Sequence, residues 1–288
     1  MRLFTIITIL ISLTSIKVPA QYMPGAKQIS LANSDVANSN DVFSLFYNPA
    51  GNAQLNWNEV GIYYSPAPFG VKELANGYGA FLHPTNFGSF SLGFMTYGFE
   101  LYRENKILFS YANSYLNKFF FGASIAYHSL SINNYGNDNS ITFILGGLIY
   151  LKEDLRLGFS IDNPTRATFG DEENQIPMLI NTGISYDALS ELTLNLAVQK
   201  DIDLPASVRF GIDYLLIEYL NLRFGVDNEP SRYSAGIGIN YNIFSLDYAF
   251  FTHQDLGLTH QFGLIVSFGS NAPRSSRIKS FLNSESKN

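Results

Sequence analysis

The 288-residue chain contains no cysteine. Disulfides, thiol chemistry and cysteine-ligated metal sites are therefore excluded, and so is a lipid anchor attached at a cysteine behind an export signal. Charge is also scarce. Charged residues make up 15% of the chain, and 18 Lys and Arg against 24 Asp and Glu leave a formal net charge of −6. A nucleic-acid surface needs clustered basic side chains to neutralise phosphates, so no nucleic-acid partner is expected. Long apolar runs are missing too: no segment reaches the roughly 20 residues that a membrane-spanning helix takes. The four histidines, His83, His128, His253 and His260, are scattered and form no pair at metal-ligand spacing. No nucleophile, base and orienting group stand at a recognisable spacing, and Gly146 and Gly147 lie inside an apolar run rather than a phosphate-binding loop. Neither enzymatic activity nor a cofactor is expected.

What is present begins with an export signal. Arg2 supplies a short basic region, Leu3 to Leu13 an apolar stretch, and Val18, Pro19 and Ala20 a small-residue cleavage site, which predicts a signal peptide over residues 1–20. From Leu155 to Phe268 the apolar residues then return at every second position. Leu192, Leu194, Leu196 and Val198 alternate with Thr193, Asn195, Ala197 and Gln199; Leu220, Leu222, Phe224 and Val226 alternate with Asn221, Arg223, Gly225 and Asp227. A period of two places one set on each face of a strand. The polar set has the composition of a wet lumen, and the other suits lipid.

Reading the whole mature chain this way predicts an all-β fold, a transmembrane antiparallel up-and-down barrel of about 14 strands over residues 57–268. In an exported chain without an apolar helix, only a closed barrel can satisfy every backbone group in lipid. Brief turns near Lys152 to Asp154, Asp187 to Glu191, Leu215 to Tyr219 and Asn242 alternate with longer polar connections. The longest, Asn163 to Pro177, carries Asp171, Glu172 and Glu173, read as a solvated acidic loop. A soluble β-sandwich is the rival fold, but consecutive hairpins without long crossovers favour a barrel.

Ahead of the first strand, in residues 21–56, stands Asp41-Val42-Phe43-Ser44-Leu45-Phe46-Tyr47-Asn48-Pro49-Ala50-Gly51. This segment resembles the N-terminal region of FadL-type outer-membrane transporters and their PorV/PorQ relatives. The resemblance implies a plug that folds back into the barrel, with Asn48, Pro49, Ala50 and Gly51 as its motif. It also implies a break in the third strand, opening sideways into the outer-membrane lipid. Pro49 fits a turn inside the lumen, since it has no ladder donor. Gly88, Gly93 and Gly98 mark the third strand, and Gly98 is the expected kink. Two roles stand open: passive binding or transport of a hydrophobic ligand, or a PorV/PorQ-like part in type IX secretion with secretion-system proteins as partners.

The last strand has a further likeness, Gln261, Gly263, Val266 and Phe268 matching the spacing that barrel-insertion machinery reads. Beyond it, residues 269–288, with Arg274, Arg277 and Lys279, read as a disordered periplasmic tail. The lumen set holds Arg156, Asp162, Arg209, Asp213, Arg223, Asp227 and Asp247. Arg209 and Arg223 each precede an Asp by four positions on the same face. These charges are read as an internal ion-pair network; the alternative is an arginine that grips a ligand carboxylate.

Overall fold

The computed structural model describes residues 24–170, 176–253 and 256–284. The expected signal peptide and the acidic triplet Asp171, Glu172 and Glu173 lie outside the described residues. A helix α1, Ala26–Ser30, and two 3-10 turns, Val42–Phe46 and Pro49–Gln54, precede the strands. The first seven strands are β1 Glu59–Ser65, β2 Asn76–Thr85, β3 Gly88–Gly98, β4 Tyr102–Tyr115, β5 Phe119–Ile132, β6 Gly136–Lys152 and β7 Leu155–Asp162. The second seven are β8 Leu179–Leu189, β9 Leu192–Asp201, β10 Ala206–Ile217, β11 Leu220–Asn228, β12 Ser231–Tyr241, β13 Phe244–His253 and β14 Gly257–Ser267. A second helix, α2, spans Arg274–Leu282.

Each strand runs antiparallel to its neighbour in sequence, and β1 pairs with β14 to close the barrel. Closure leaves no free edge, so every strand has a ladder partner on both sides. The alternation seen in the sequence becomes an alternation of burial, buried then exposed along all of β1 and through most of β5. Outward-facing Ile62, Phe94, Phe121, Phe159, Leu196 and Phe224 are between 45% and 57% exposed. Soluble monomers seldom leave contiguous apolar patches above a few hundred Å². Here the apolar band runs around the wall, as contact with hydrocarbon demands.

The strands expected from the apolar pattern all form, but several extend further. β4, β5 and β6 continue past their apolar cores because polar residues carry on the ladder: Glu104 faces Leu130, and Asn139 faces Ser129. One end of the barrel has only tight turns, at residues 86–87, 116–118, 153–154, 190–191, 218–219 and 242–243. Register shifts sit beside three of these turns. The opposite end carries the longer connections, 66–75 and, among the described residues, 163–170 and 176–178. Both turn inward. The Phe69 amide donates to Thr259 Oγ1 at 2.9 Å and its ring meets Phe251 edge-on at 5.8 Å. In the second loop, Asn163 Nδ2 donates to the carbonyl of Ile176 at 2.8 Å, and Phe169 meets the His128 ring at 6.0 Å.

Four expectations need correction. Gly98 has a positive φ of 99° but stands at the last position of β3, where its amide donates to the Ala75 carbonyl at 3.1 Å. It opens the hairpin to β4 and does not kink the strand. β3 pairs without a register shift along β2 from Gly88 to Tyr97 and along β4 from Ser89 to Gly98, so the sideways break implied by the resemblance is not present there. The lumen is not a wet channel across this level, because residues 24–55 occupy it and only Lys27, Asn33 and Asn40 among them escape full burial. The tail is not wholly disordered: it forms α2, with Ile278 only 5% exposed.

Candidate functional site

The site is the packed lumen, and its wall is made for an occupant. Nine inward-facing glycines, Gly61, Gly93, Gly122, Gly146, Gly158, Gly183, Gly211, Gly225 and Gly236, are placed so that an added Cβ would meet an atom of residues 30–50 within 3.0 Å. Several are paired across strands: Gly122 faces Gly146, Gly158 faces Gly183, and Gly211 faces Gly225. Glycine normally weakens a strand, and it is found where another backbone must come close. The main chain of the lumen segment does so here, the Val36 carbonyl against Gly158 and the Ala32 amide against Gly225. Contacts of the segment spread over β1–β8 and β10–β14.

Polar bonds then fix its path. Asn48 Nδ2 donates to the Val36 carbonyl at 2.8 Å within the segment and to the Gly147 carbonyl of the wall at 3.2 Å. Asn52 Nδ2 donates to Ser91 Oγ at 2.7 Å, and Ser124 Oγ donates to the Leu45 carbonyl at 2.9 Å. The Tyr150 hydroxyl donates to Gln54 Oε1. Pro49 begins a 3-10 turn, where its missing amide hydrogen is not needed, and lies against Gly122 and Gly146. Ala50 is fully buried, and Gly51 lies against the Ser39 backbone with no room for a side chain. All four residues of the Asn-Pro-Ala-Gly motif thus lie inside the barrel.

Within the segment, Gln28 Nε2 donates to Asp41 Oδ2 at 2.7 Å, and the Tyr47 hydroxyl donates to Asp35 Oδ2 at 3.0 Å. Burial pushes the Asp35 carboxyl up to about 6, partly offset by the Lys27 ammonium. Burial also pushes the Tyr47 phenol well above its ordinary value, so it remains a donor.

The charged lumen residues come together in pairs across neighbouring strands and not along one strand. Four residues along a strand span roughly 13 Å, too far for Arg209 to reach Asp213. The antiparallel register instead sets Arg209 opposite Asp227 and Arg223 opposite Asp213. Arg209 Nε lies 3.5 Å from Asp227 Oδ2, which also takes Arg232 Nη2 at 3.0 Å. Arg223 Nε lies 3.1 Å from Asp213 Oδ2, and its Nη1 lies 2.5 Å from Asp247 Oδ1. Arg156 pairs with Asp187 at 2.6 Å. Both candidate arginines for a ligand carboxylate are therefore already held by carboxylates of the wall.

Sequence reasoning missed two participants. Glu59, fully buried at the start of β1, accepts from the Val42 amide at 2.8 Å, Trp57 Nε1 at 3.0 Å and Ser267 Oγ at 2.6 Å. Lone within a short polar run, it gave no periodic signal. The glycines did: they recur at lumen positions on most of the strands, where serine or asparagine would serve a watery channel better. At the tight-turn end a groove of about 550 Å³ opens between the barrel rim and α2, lined by residues including Trp57, Pro84, Phe268 and Arg277.

No family model matches the sequence, and no curated protein matches it. Solved structures do. The CymD monoaromatic hydrocarbon channel is similar with a TM-score of 0.62 at 12% identity, over 86% of this chain and 98% of that one. The toluene transporter TodX of Pseudomonas putida has a TM-score of 0.60 at 12% identity, over 88% and 99%. A FadL homologue of Pseudomonas aeruginosa gives 0.60 at 12% identity, over 86% and 97%. At such identities the likeness speaks for architecture, and the architecture is that of the FadL-type fourteen-stranded barrels.

Proposed function

We propose that this chain is an outer-membrane barrel that works closed, as a membrane-embedded attachment site for other proteins of the kind the PorV/PorQ branch supplies to type IX secretion. The observation that carries this reading is the occupied lumen within an unbroken wall: residues 24–55 lie against thirteen strands' worth of wall, from β1 to β8 and β10 to β14, and β3 has no gap. A hydrophobic molecule crossing the barrel would have to displace a segment hydrogen-bonded to that wall, then pass buried ion pairs that offer it no apolar path. The apolar outer band supports lipid as the surrounding medium, and the export signal expected at residues 1–20 is in keeping with the outer membrane as the compartment.

The test is cross-linking in the native membrane followed by identification of the trapped protein, run beside uptake of toluene and of a long-chain fatty acid by cells expressing the chain. A discrete protein partner with uptake at the level of empty-vector cells is expected. Uptake above that level without a partner would sink the closed reading.

A second reading, passive passage of small hydrophobic molecules, draws support from the hydrocarbon channels whose fold this chain shares. It requires residues 24–55 to shift during passage. Native mass spectrometry of the gently extracted barrel separates the two, since a stoichiometric apolar ligand belongs to this second reading alone.

A further inference from the structure

We propose that helix α2 is a latch on the lumen segment, and that Glu59 is the residue that couples them. Its carboxylate is shared by three parts of the chain. The lumen segment contributes the Val42 amide, bound to Oε2 at 2.8 Å. The barrel contributes Trp57 Nε1 at 3.0 Å and Ser267 Oγ at 2.6 Å, both on Oε1. The tail contributes Arg274, whose Nη2 lies 2.7 Å from Oε1 and whose Nη1 donates to Oε2 at 3.1 Å. Nη1 also donates to the Asn40 carbonyl at 2.8 Å, so the same guanidinium touches the lumen segment directly. Glu59 is wholly inaccessible, and a buried carboxylate stripped of its cation is costly. The lumen segment at residues 40–42 is therefore seated best only while the tail is docked.

The rest of α2 supports docking against the tight-turn end of the barrel. Arg277 stacks over the Trp57 ring at 3.7 Å, a cation–π contact. Ile278 is buried, the Phe281 ring lies 6.5 Å from that of Phe120, and Asn117 Nδ2 donates to the Phe281 carbonyl at 2.9 Å and to Ser284 Oγ at 3.2 Å. The apolar contact is small. It rests on Ile278, Phe281 and Leu282, so undocking costs far less than unfolding the wall, and α2 lies at the low-stability end of the molecule. Whatever draws the tail away from the barrel mouth removes the only cation that this structure gives Glu59 within salt-bridge distance among the described residues, and loosens the lumen segment from one side of the membrane.

The absence of native cysteine makes the test clean. Ser44, fully buried in the 3-10 turn Val42–Phe46 that the Glu59 carboxylate holds at its Val42 amide, is changed to Cys in the full-length chain and in a chain ending at Pro273. Both are reconstituted in lipid vesicles, their folding is checked by heat-modifiable mobility, and labelling by a water-soluble maleimide is timed. The latch predicts labelling faster by about tenfold or more without the tail, the change that a local opening easier by roughly 1.4 kcal/mol would give. Equal rates in two folded barrels would overturn it. Should the shortened chain fail to fold, Arg274→Gln, which removes the cation from Glu59 and keeps the Ile278 and Phe281 contacts of the helix, takes its place. About a threefold rise is then expected on the same local-opening scale, and no rise overturns the proposal.

Discussion

A single missing methyl group governs the fit between wall and occupant. At Gly158 and Gly225 the facing atoms are main chain, the Val36 carbonyl and the Ala32 amide, which cannot swing aside as a side-chain tip could. Gly225→Ala is expected to destabilise the folded barrel by about 1–3 kcal/mol, the usual range for overpacking, read as a lower temperature for loss of the heat-resistant folded band. Gly257, with open space around it, serves as the mutational control, although its positive φ of 84° adds backbone strain of its own. Asp35 makes a second prediction. Its folded value of about 6 lies above the ordinary 3.8, so the carboxyl favours the docked segment when protonated. That contribution is complete below about pH 3.8 and is lost as the pH rises through about 6. Asp35→Asn should remove this pH dependence and stabilise the protein at pH 7 relative to the native chain, as followed by thermal unfolding at several pH values; a native-to-variant gap that does not change with pH would refute it.

Among elements, β10 and β11 carry the clearest polar design. Arg223 is clamped between Asp213 and Asp247, so two wall carboxylates depend on one guanidinium. Arg223→Met should cost about 3–5 kcal/mol, because it leaves buried charge without a partner. Adding Asp213→Asn and Asp247→Asn to it should recover most of that loss in denaturant melts. A ligand-binding role would instead leave stability intact in Arg223→Met and remove only binding. The strands themselves were legible in the sequence because lipid on one side and an interior on the other impose a strict period of two. Pairing was not, since which Arg meets which Asp depends on register across strands. The tail was misread for a related reason: Ile278, Phe281 and Leu282 do stand at helical spacing, but three apolar residues within a polar stretch are a weak periodic signal. Gly98 was misjudged because glycine at a strand end and glycine at a kink look alike until the ladder is seen; here the ladder runs through to it on β4.

At the scale of the whole molecule the barrel is stoppered at three levels. Residues 66–75 and the described residues 163–170 and 176–178 fold over one mouth, residues 24–55 fill the middle, and α2 lies across the other end. Single-channel recording in planar bilayers should therefore find the full-length protein quiet, and a chain without residues 24–55 should either fail to fold or conduct. Steady large openings in the intact protein would contradict the stoppered arrangement. That the lumen holds the N-terminal segment was foreseeable only through family resemblance. How tightly it is held was written in the glycines, whose meaning depends on which face of each strand they occupy.

The seam between β1 and β14 joins the first strand to the last, and the lumen segment enters the chain before either. A sleeve stitched shut around its own beginning is most simply made with the contents laid in first. The expected order of assembly is one in which the earliest residues serve as the mould for the later strands and the β1–β14 seam is sewn last.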